Sequence, residues 1–374
     1  MAKKKPSTPT STPTARTLRA QVVALDRQIA AAIAERADAV SQLAASSKAA
    51  ASSKAAASPK TGDTGATSIN AGQGRVTDAA MAAVFREVVA SSRSAVEAFR
   101  VAYLGPEDSF SHLTAIGLFG EASDLVPVAT IPAVFDEVAT AGCVRGVVPL
   151  ENSTHGRVTD TLEAFSKTDV QICGEAPVRI RHCLLGLGPR SAIKRVTSKP
   201  QALSQCSHWL AEHLPGVETV AAASTSEAAA LAAEDAAVGA IASEQAGRRH
   251  GLKTLAQGIE DQHDNITRFA VIGTSPAEKT GDDKTAVMFE IAHEPGSLAD
   301  AMAIFKRRGL NMTWIESFPI PGSRSRSDSG RFLFFVELEG HQMEARVRRA
   351  IDSLAKKCVQ LRVLGSYARA AVLG

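Results

Sequence analysis

The stretch that decides the fold is DQHDNITRFAVIG, residues 261–273, in which a run of polar side chains leads directly into an apolar strand. Residues 269–273 are short and apolar throughout, as is typical of a strand buried in a sheet. The polar run places Thr267 and Arg268 at the mouth of that strand, and ligand-binding crevices lie at such strand ends in open α/β sheets. Taken alone, the stretch does not distinguish a binding site from a surface loop that precedes a core strand.

Three other stretches repeat the pattern of an apolar strand followed by small polar residues. They are YLGPEDSFS (103–111), VPLENSTHG (148–156) and SKPQA (198–202). Ser and Thr that open a helix often act as N-caps, which is one explanation of these residues. The other is that helix N-termini and hydroxyls converge on an anion, such as a carboxylate. The sequence contains no glycine-rich nucleotide motif, no HExxH and no cysteine ligand pair, so we expect neither a cofactor nor a metal.

Composition indicates a multidomain cytoplasmic protein. The 374 residues exceed one ordinary domain, and 45% hydrophobic with 22% charged residues is normal for a protein with large cores. Much of the net charge of +3 lies in Lys3, Lys4 and Lys5, so it does not indicate a nucleic-acid partner. The five cysteines are scattered, which indicates reduced thiols. No apolar run is long enough to cross a bilayer, and the basic N-terminus lacks the apolar segment of a secretory signal.

Composition and periodicity divide the chain into four parts. Residues 1–16 are rich in Pro, Thr and Ser and are predicted to form a disordered tail. Residues 17–99 show helical periodicity and predict an all-α arm, with a linker within 46–74. Strands and helices alternate over 100–275, which predicts an α/β domain with a largely parallel sheet that could form two lobes. Residues 285–368 follow the order βαββαβ, which predicts a small ferredoxin-like unit.

The motifs of the α/β domain together resemble those of prephenate dehydratases. The resemblance covers about residues 101–273 and rests on YLGPEDSFS, VPLENSTHG, KPQALSQC (199–206), STSEAA (224–229), GAIAS (239–243) and DNITRF (264–269), in the family's order. It implies a cleft between two α/β lobes, as in periplasmic binding proteins, in which prephenate loses water and carbon dioxide without a cofactor. Because aromatisation drives this reaction, the enzyme has only to hold two carboxylates and polarise the departing hydroxyl.

The same resemblance assigns roles to residues of the cleft. Thr267 matches the family's essential threonine and is expected to contact the leaving hydroxyl, while Glu151 is expected to be a proton source or an orienting group. Arg268 either binds substrate or supports its loop, and Lys199 either binds a carboxylate or is solvated. The remaining contacts to substrate are assigned to polar residues: Asn152, Ser153, Thr154, Ser109, Ser224 and Thr225.

Two positions depart from the family pattern. Asp108-Ser109 stands where the family usually has Gly-Thr, and Lys199 stands where it has His. An added acid beside an anion site would weaken binding unless the side chain of Asp108 points away.

The C-terminal unit resembles the ACT domain that follows this enzyme in the family. The match is HEPGSLADAMAIFKRRGLNMTWIESFPI (293–320) with FFVELEGH (334–341). It implies a phenylalanine effector, bound by Gly296, Ser297, Leu298, Glu316 and Ser317, and a homodimer or homotetramer. Phe318 replaces the family's arginine, and a dimerisation module without a ligand is the alternative.

The N-terminal helices resemble an all-helical chorismate mutase, as found fused to this enzyme. Arg19 and Arg36 match the two arginines that hold the carboxylates of chorismate. The mutase reaction needs further cations and a carboxylate from a middle helix, but residues 49–74 contain no Arg and no Glu. We therefore expect mutase activity to be lost.

Three hypotheses follow for the whole chain. The first is a prephenate dehydratase with a regulatory ACT domain and a degenerate mutase-like arm. The second is a fully bifunctional enzyme, and the third is a two-lobed small-molecule binding protein without catalysis. The third leaves Thr267 unexplained.

Overall fold

The computed structural model describes residues 15–53, 77–94, 99–154, 156–262, 264–292, 294–319 and 332–373. The chain forms two compact units, Met1–Ala98 and Phe99–Gly374. All five cysteines are free thiols. Among the described residues, no helix combines the length and the apolar character that crossing a membrane requires.

The described residues of the first unit form two helices, α1 (Ala15–Ser53) and α2 (Asp78–Ser94). They correspond to the predicted helical arm. The predicted disordered tail lies outside the described residues except for 15–16, which begin α1, and α1 extends into the predicted linker as far as Ser53. The rest of that linker lies outside the described residues.

The second unit begins with the two predicted lobes. Their elements, in chain order, are β1 (Arg100–Leu104), α3 (Phe110–Phe119), β2 (Asp124–Val128), α4 (Ile131–Ala139), β3 (Arg145–Asn152), β4 (Gly156–Arg157), α5 (Thr159–Lys167), β5 (Gln171–Arg179), β6 (Cys183–Gly186), β7 (Arg195–Ser198), α6 (Pro200–Gln205), α7 (Ser207–His213), β8 (Glu218–Ala221), α8 (Thr225–Glu234), β9 (Val238–Ala242), α9 (Glu244–Arg249), β10 (Lys253–Gln257) and β11 (Ile266–Gly273).

Each lobe is built on a mixed sheet, which corrects the prediction of a largely parallel one. The first sheet has the order β2-β1-β3-β11-β5, with β4 beside β3, and the second has the order β10-β6-β9-β7-β8. In each sheet three strands are parallel, and the strands that connect the lobes are antiparallel to their neighbours. The reason is that β11 returns to the first lobe from the second and therefore enters its sheet from the opposite end.

The first crossing between the lobes separates two strands that follow each other closely in the chain. Residues 176–186 belong to β5, in the first lobe, and β6, in the second, with 180–182 between them. The chain crosses back between the end of β10 and the start of β11. The stretch quoted at the outset thus contains the second of two crossings, which places Asn265 and Thr267 beside the cleft between the lobes.

The remaining elements form the predicted βαββαβ unit. They are β12 (Asp283–Ile291), α10 (Ser297–Arg307), β13 (Met312–Pro319), β14 (Phe332–Glu339), α11 (Ala345–Ala355) and β15 (Cys358–Ala368). Their antiparallel sheet has the order β13-β14-β12-β15. Its helices cover one face, where Val336 and Leu338 are buried against them.

The other face of this C-terminal sheet packs on the first lobe and shares one hydrophobic core with it. Phe335 and Leu364 lie in the same buried cluster as Phe165 and Ile172. Gly365 has φ +140°, and a methyl group there would overlap the backbone carbonyl of Ile172. Because only glycine permits so close an approach of two backbones, β15 lies directly on β5.

Candidate functional site

A cavity of about 470 Å³ lies between the two lobes and contains most of the predicted site residues. Both lobes and both crossings contribute to its wall. Apolar residues of the first lobe, among them Phe110, Ile131 and Val158, form part of it. The polar and charged residues of its lining are Ser109, Ser111, Asn152, Asp160, His182, Lys199, Gln201, Gln205, Ser224, Thr225, Asn265 and Thr267.

Asn152 and Thr267 lie opposite each other on the neighbouring strands β3 and β11. The Nδ2 of Asn152 donates to the Oγ1 of Thr267 and to the Oδ1 of Asn265, both at 2.8 Å. The backbone N–H of Thr154 donates to the Oδ1 of Asn152 at 3.0 Å, which fixes the orientation of the amide. Since Thr267 already accepts from Asn152, and no described residue accepts its proton, its hydroxyl is oriented to donate to a ligand.

Two serines of the lining also cap helices that begin at the cavity. Ser109 precedes α3, and its Oγ accepts from the backbone N–H of His112 at 3.3 Å. Ser224 precedes α8, and its Oγ accepts from the backbone N–H of Glu227 at 2.9 Å. N-capping and anion binding, the two explanations of these serines, are therefore compatible, because capping brings the positive ends of two helices to the cavity. Lys199 adds an exposed cation at the start of α6.

Glu151 and Arg268 do not line the cavity, although both were predicted to act there. Successive side chains of a strand point to opposite faces of the sheet, so the neighbours of Asn152 and Thr267 point away from the cleft. The Nε of Arg268 donates to the Oε1 of Glu151 at 3.0 Å on that opposite face. The predicted proton source and the predicted substrate-binding arginine are thus an ion pair behind the site.

Ser153 and Thr154 do not belong to the cavity lining either. The Oγ of Ser153 accepts from the backbone N–H of Ile266 at 3.0 Å. The Oγ1 of Thr154 donates to the Oε1 of Gln262 at 3.3 Å. These hydroxyls join the turn after β3 to the second crossing, so they support the loop that leads to Thr267.

Six polar or charged residues of the lining were missed by the sequence analysis: Ser111, Asp160, His182, Gln201, Gln205 and Asn265. Gln201 and Gln205 are one helical turn apart in the KPQALSQC motif, so their spacing could have revealed them. Asn265 lies in DNITRF, and its Nδ2 is buried without a partner among the described residues. His182 lies at the first crossing, where no motif marks it. Burial lowers the pKa of His182, and its Nε2 lies 2.9 Å from the Oε1 of Gln205.

Asp108, the acid that departs from the family pattern, has its own cationic partner. Its side chain is 5% exposed, and its Oδ2 lies 3.5 Å from the Nε of Arg249 on α9. Arg249 also pairs with Glu107. The backbone of Asp108 has φ +62°, a conformation that glycine adopts without strain. The ion pair of Asp108 with Arg249 therefore joins the first lobe to the second beside the cavity, and Arg249 balances the charge of the added acid.

A second cavity, of about 320 Å³, lies at the start of α10 in the C-terminal unit. Gly296, Ser297 and Leu298, which were predicted to bind the effector, line it together with Phe332 and Phe334 of β14. The other two predicted residues, Glu316 and Ser317, do not. Instead, the Oε2 of Glu316 accepts from the Nη1 of Arg157 in the first lobe at 2.8 Å.

The predicted mutase-like arginines both lie on α1. The side chain of Arg19 is outside the described residues. Arg36 is half-buried, and its Nη1 is buried without a hydrogen-bond partner among the residues that the structure describes. Within that same described part of the chain, no group of His, Cys, Asp and Glu residues could hold a metal ion.

Comparison with known proteins gives a consistent family assignment. The family model for prephenate dehydratase matches residues 101–277, which span both lobes. A bifunctional chorismate mutase/prephenate dehydratase of Aquifex aeolicus is 40% identical over 292 residues, which are 78% of this chain and 79% of the relative. Among solved structures, a prephenate dehydratase of Arthrobacter aurescens in complex with L-Phe has a TM-score of 0.66 and 32% identity, covering 72% of this chain and 90% of that one.

Another structure, of a protein described as a novel type of quorum-quenching acylase, has a TM-score of 0.65 and 27% identity, covering 72% of this chain and 98% of that one. Likeness of fold alone therefore does not separate the two activities. The family match over both lobes and the 40% identity to the bifunctional relative show that this chain belongs to the prephenate dehydratase family.

Proposed function

We propose that the cleft between the lobes converts prephenate to phenylpyruvate, carbon dioxide and water. The observation that supports this best is the Asn152–Thr267 pair, which offers one oriented hydroxyl proton inside a cavity of small-molecule size. In the reaction, the C–C bond to the ring carboxylate breaks and its electron pair enters the ring. The ring hydroxyl leaves with one added proton, as water, and the ring becomes aromatic.

The two carboxylates of prephenate would be held by the positive side of the cavity. The N-termini of α3 and α8 and the ammonium of Lys199 supply it, while Phe110, Ile131 and Val158 offer apolar surface to the ring. Asp160 is the acid in the lining. A dianion therefore suits this cavity better than a neutral or cationic ligand of the same size.

Thr267 would act by hydrogen bonding to the departing hydroxyl. Asn152 donates to the oxygen of Thr267 and so directs its proton toward the substrate. Glu151, on the other face of the sheet, takes no part in proton transfer. The driving force of aromatisation makes a neutral hydroxyl a sufficient donor, because the leaving group needs polarisation rather than a strong acid.

Substitution of Thr267 tests this role. Thr267→Val keeps the shape but removes the proton, and we expect kcat for prephenate to fall by about 10² to 10⁴-fold with little change in KM. Thr267→Ser is the matched control, because it retains the hydroxyl and should stay within about tenfold of the wild type. Thermal unfolding of both variants should match the wild type. Wild-type turnover by Thr267→Val would refute the mechanism.

The C-terminal residues 285–368 are proposed to be an ACT domain that binds phenylalanine. The cavity at the start of α10 supports this, since Gly296 (φ +89°) precedes the helix N-terminus and Phe334 offers apolar contact. A solved relative is described in complex with L-Phe. Phenylalanine should then bind stoichiometrically in calorimetry and lower dehydratase activity, and Gly296→Val should abolish both effects while leaving basal turnover intact.

We propose a cytoplasmic homodimer or homotetramer in which residues 17–99 form a mutase-like arm and residues 100–275 the dehydratase domain. The arm is expected to have lost mutase activity, because residues 49–74 lack the Arg and Glu that a middle helix should provide. Chorismate given to the purified protein should therefore yield no prephenate. Rapid turnover of chorismate would support the bifunctional alternative, and light scattering of the same sample would give the oligomeric state.

A further inference from the structure

Five charged side chains lie together on the face of β11 opposite Thr267, and four of them are buried; the fifth, Glu151, is 31% exposed. Two are cations, Arg268 and Lys284, and three are carboxylates, Glu151, Glu175 and Glu337. The side chains of Arg268, Glu175 and Glu337 are 7%, 2% and 1% exposed. We call these five residues the buried charge cluster.

The C-terminal unit provides the closest partner of Arg268. The Nη1 of Arg268 donates to both carboxylate oxygens of Glu337, on β14, at 2.5 and 2.7 Å. The ring of Trp314, on β13, lies 4.8 Å from the guanidinium carbon. The hydroxyl of Tyr367, on β15, donates to the Oε1 of Glu337 at 2.5 Å. Three strands of the C-terminal unit thus hold one arginine of the catalytic sheet.

The backbone next to Thr267 contains a β-bulge. The register between β11 and β3 shifts between Arg268 and Phe269, so that Arg268 pairs with Glu151 but Phe269 pairs with Pro149. A bulge of this kind interrupts the ladder of hydrogen bonds where the two residues sit. Because Arg268 and Thr267 share a peptide bond, a shift of the Arg268 backbone would also move Thr267.

We propose that Glu337 is a positioning residue for the dehydratase reaction, which acts by fixing Arg268 and, through it, the hydroxyl of Thr267. This rests on the proposed role of Thr267. A misplacement of about 1 Å in a reacting group can cost about 10²-fold in rate, so a contact far from the substrate can matter to the chemistry. The C-terminal unit would therefore be part of the catalytic machinery even when its own cavity is empty.

Glu337→Gln tests the proposal, because glutamine keeps the shape of the side chain but loses the charge. We expect kcat to fall by at least about tenfold, with KM within about twofold of the wild type. Glu339→Gln is the matched control: Glu339 lies on the same strand and accepts from the Nη2 of Arg369 at 2.9 Å, but its side chain is 39% exposed. The control variant should retain wild-type kcat and KM.

A double-mutant cycle separates positioning from general damage. In the Thr267→Val background the hydroxyl is absent, so adding Glu337→Gln should change the residual kcat by less than about twofold. An equal loss in both Thr267 backgrounds, or a folded Glu337→Gln with wild-type kcat, would overturn the proposal. If Thr267→Val alone retains full activity, the proposed role of Thr267 fails instead; if the wild type does not turn over prephenate, the proposed function fails, so the three failures are distinguishable.

A milder variant covers the case in which Glu337→Gln does not fold. Tyr367→Phe removes only the hydroxyl that donates to Glu337. It should lower kcat by about two- to fivefold at unchanged KM, and this loss should also vanish in the Thr267→Val background. A folded Tyr367→Phe with wild-type kcat would contradict the proposal.

Discussion

The two faces of the β3–β11 strand pair differ sharply, although they are separated by single peptide bonds. On the cleft face, Asn152 and Thr267 are neutral and joined by one hydrogen bond of 2.8 Å. On the opposite face, Glu151 and Arg268 belong to the buried charge cluster. The difference shows that adjacent polar residues of one motif can have different roles. The residues on the cleft face are proposed to act on the substrate, and those on the opposite face to hold them in position. The predictions below test this division.

The largest expected effect comes from removing the arginine of the buried charge cluster. Arg268→Met leaves Glu151, Glu175 and Glu337 with Lys284 as the remaining cation of the cluster. Removing one partner of a buried ion pair costs about 3–5 kcal/mol, so the free energy of unfolding in urea should fall by about that amount. Arg369→Met, at an exposed arginine with two carboxylate partners, should cost less than about 1 kcal/mol. Equal losses in the two variants would show that the buried charge cluster contributes no more to stability than an exposed ion pair.

A smaller effect, on rate rather than stability, is expected from the cleft face. Asn152→Asp replaces the amide donor with a carboxylate, which would accept the proton of Thr267 instead of donating to its oxygen. We expect kcat for prephenate to fall by about 10²-fold, which corresponds to about 2.7 kcal/mol of transition-state stabilisation.

Ser153→Ala is the matched control, at the next residue. Ser153 bonds to the backbone of Ile266 and does not line the cavity. Its substitution should cost about 1 kcal/mol in stability and leave kcat within about threefold of the wild type. Loss of kcat with Ser153→Ala that matches the loss with Asn152→Asp would show that position relative to the cleft does not determine function.

The division between the faces marks where prediction from sequence succeeds. Ser109, Asn152, Lys199 and Thr267 lie in strand-end motifs, while Ser224 and Thr225 were chosen from the family resemblance, and the structure brings all six to one cavity. The partners of Arg268 could not be found in this way, since Glu175 and Glu337 are 93 and 69 residues distant along the chain. The pairing of β11 with β5 brings Glu175 to Arg268, and the packing of the C-terminal sheet on the first lobe brings Glu337.

The orientation of Glu151 was beyond prediction for a local reason. Val148 and Leu150 are buried in the core shared with the C-terminal unit, so strict alternation would place Asn152 on that face and Glu151 in the cleft. The register shift opposite Arg268 leaves Leu150 as an extra residue on β3, which reverses the alternation. No residue in VPLENSTHG signals this bulge, so the motif identifies the site but not which of its side chains face it.

The smallest expected effect concerns the pair that ties the lobes together beside the cavity. Asp108→Gly removes an acid that Arg249 already neutralises, at a backbone angle that glycine accepts, so KM for prephenate should stay within about twofold. Arg249→Ala leaves Asp108 and Glu107 uncompensated near the anion site, so KM should rise by about two- to fivefold, and more at low ionic strength.

The double variant Asp108→Gly/Arg249→Ala should recover most of this loss, because the acid nearer the cavity is gone. Steady-state kinetics at two salt concentrations check all three. An unchanged KM for Arg249→Ala at low salt would mean that the charge at Asp108 does not reach the substrate, and the departure from the family pattern would then have no consequence for binding.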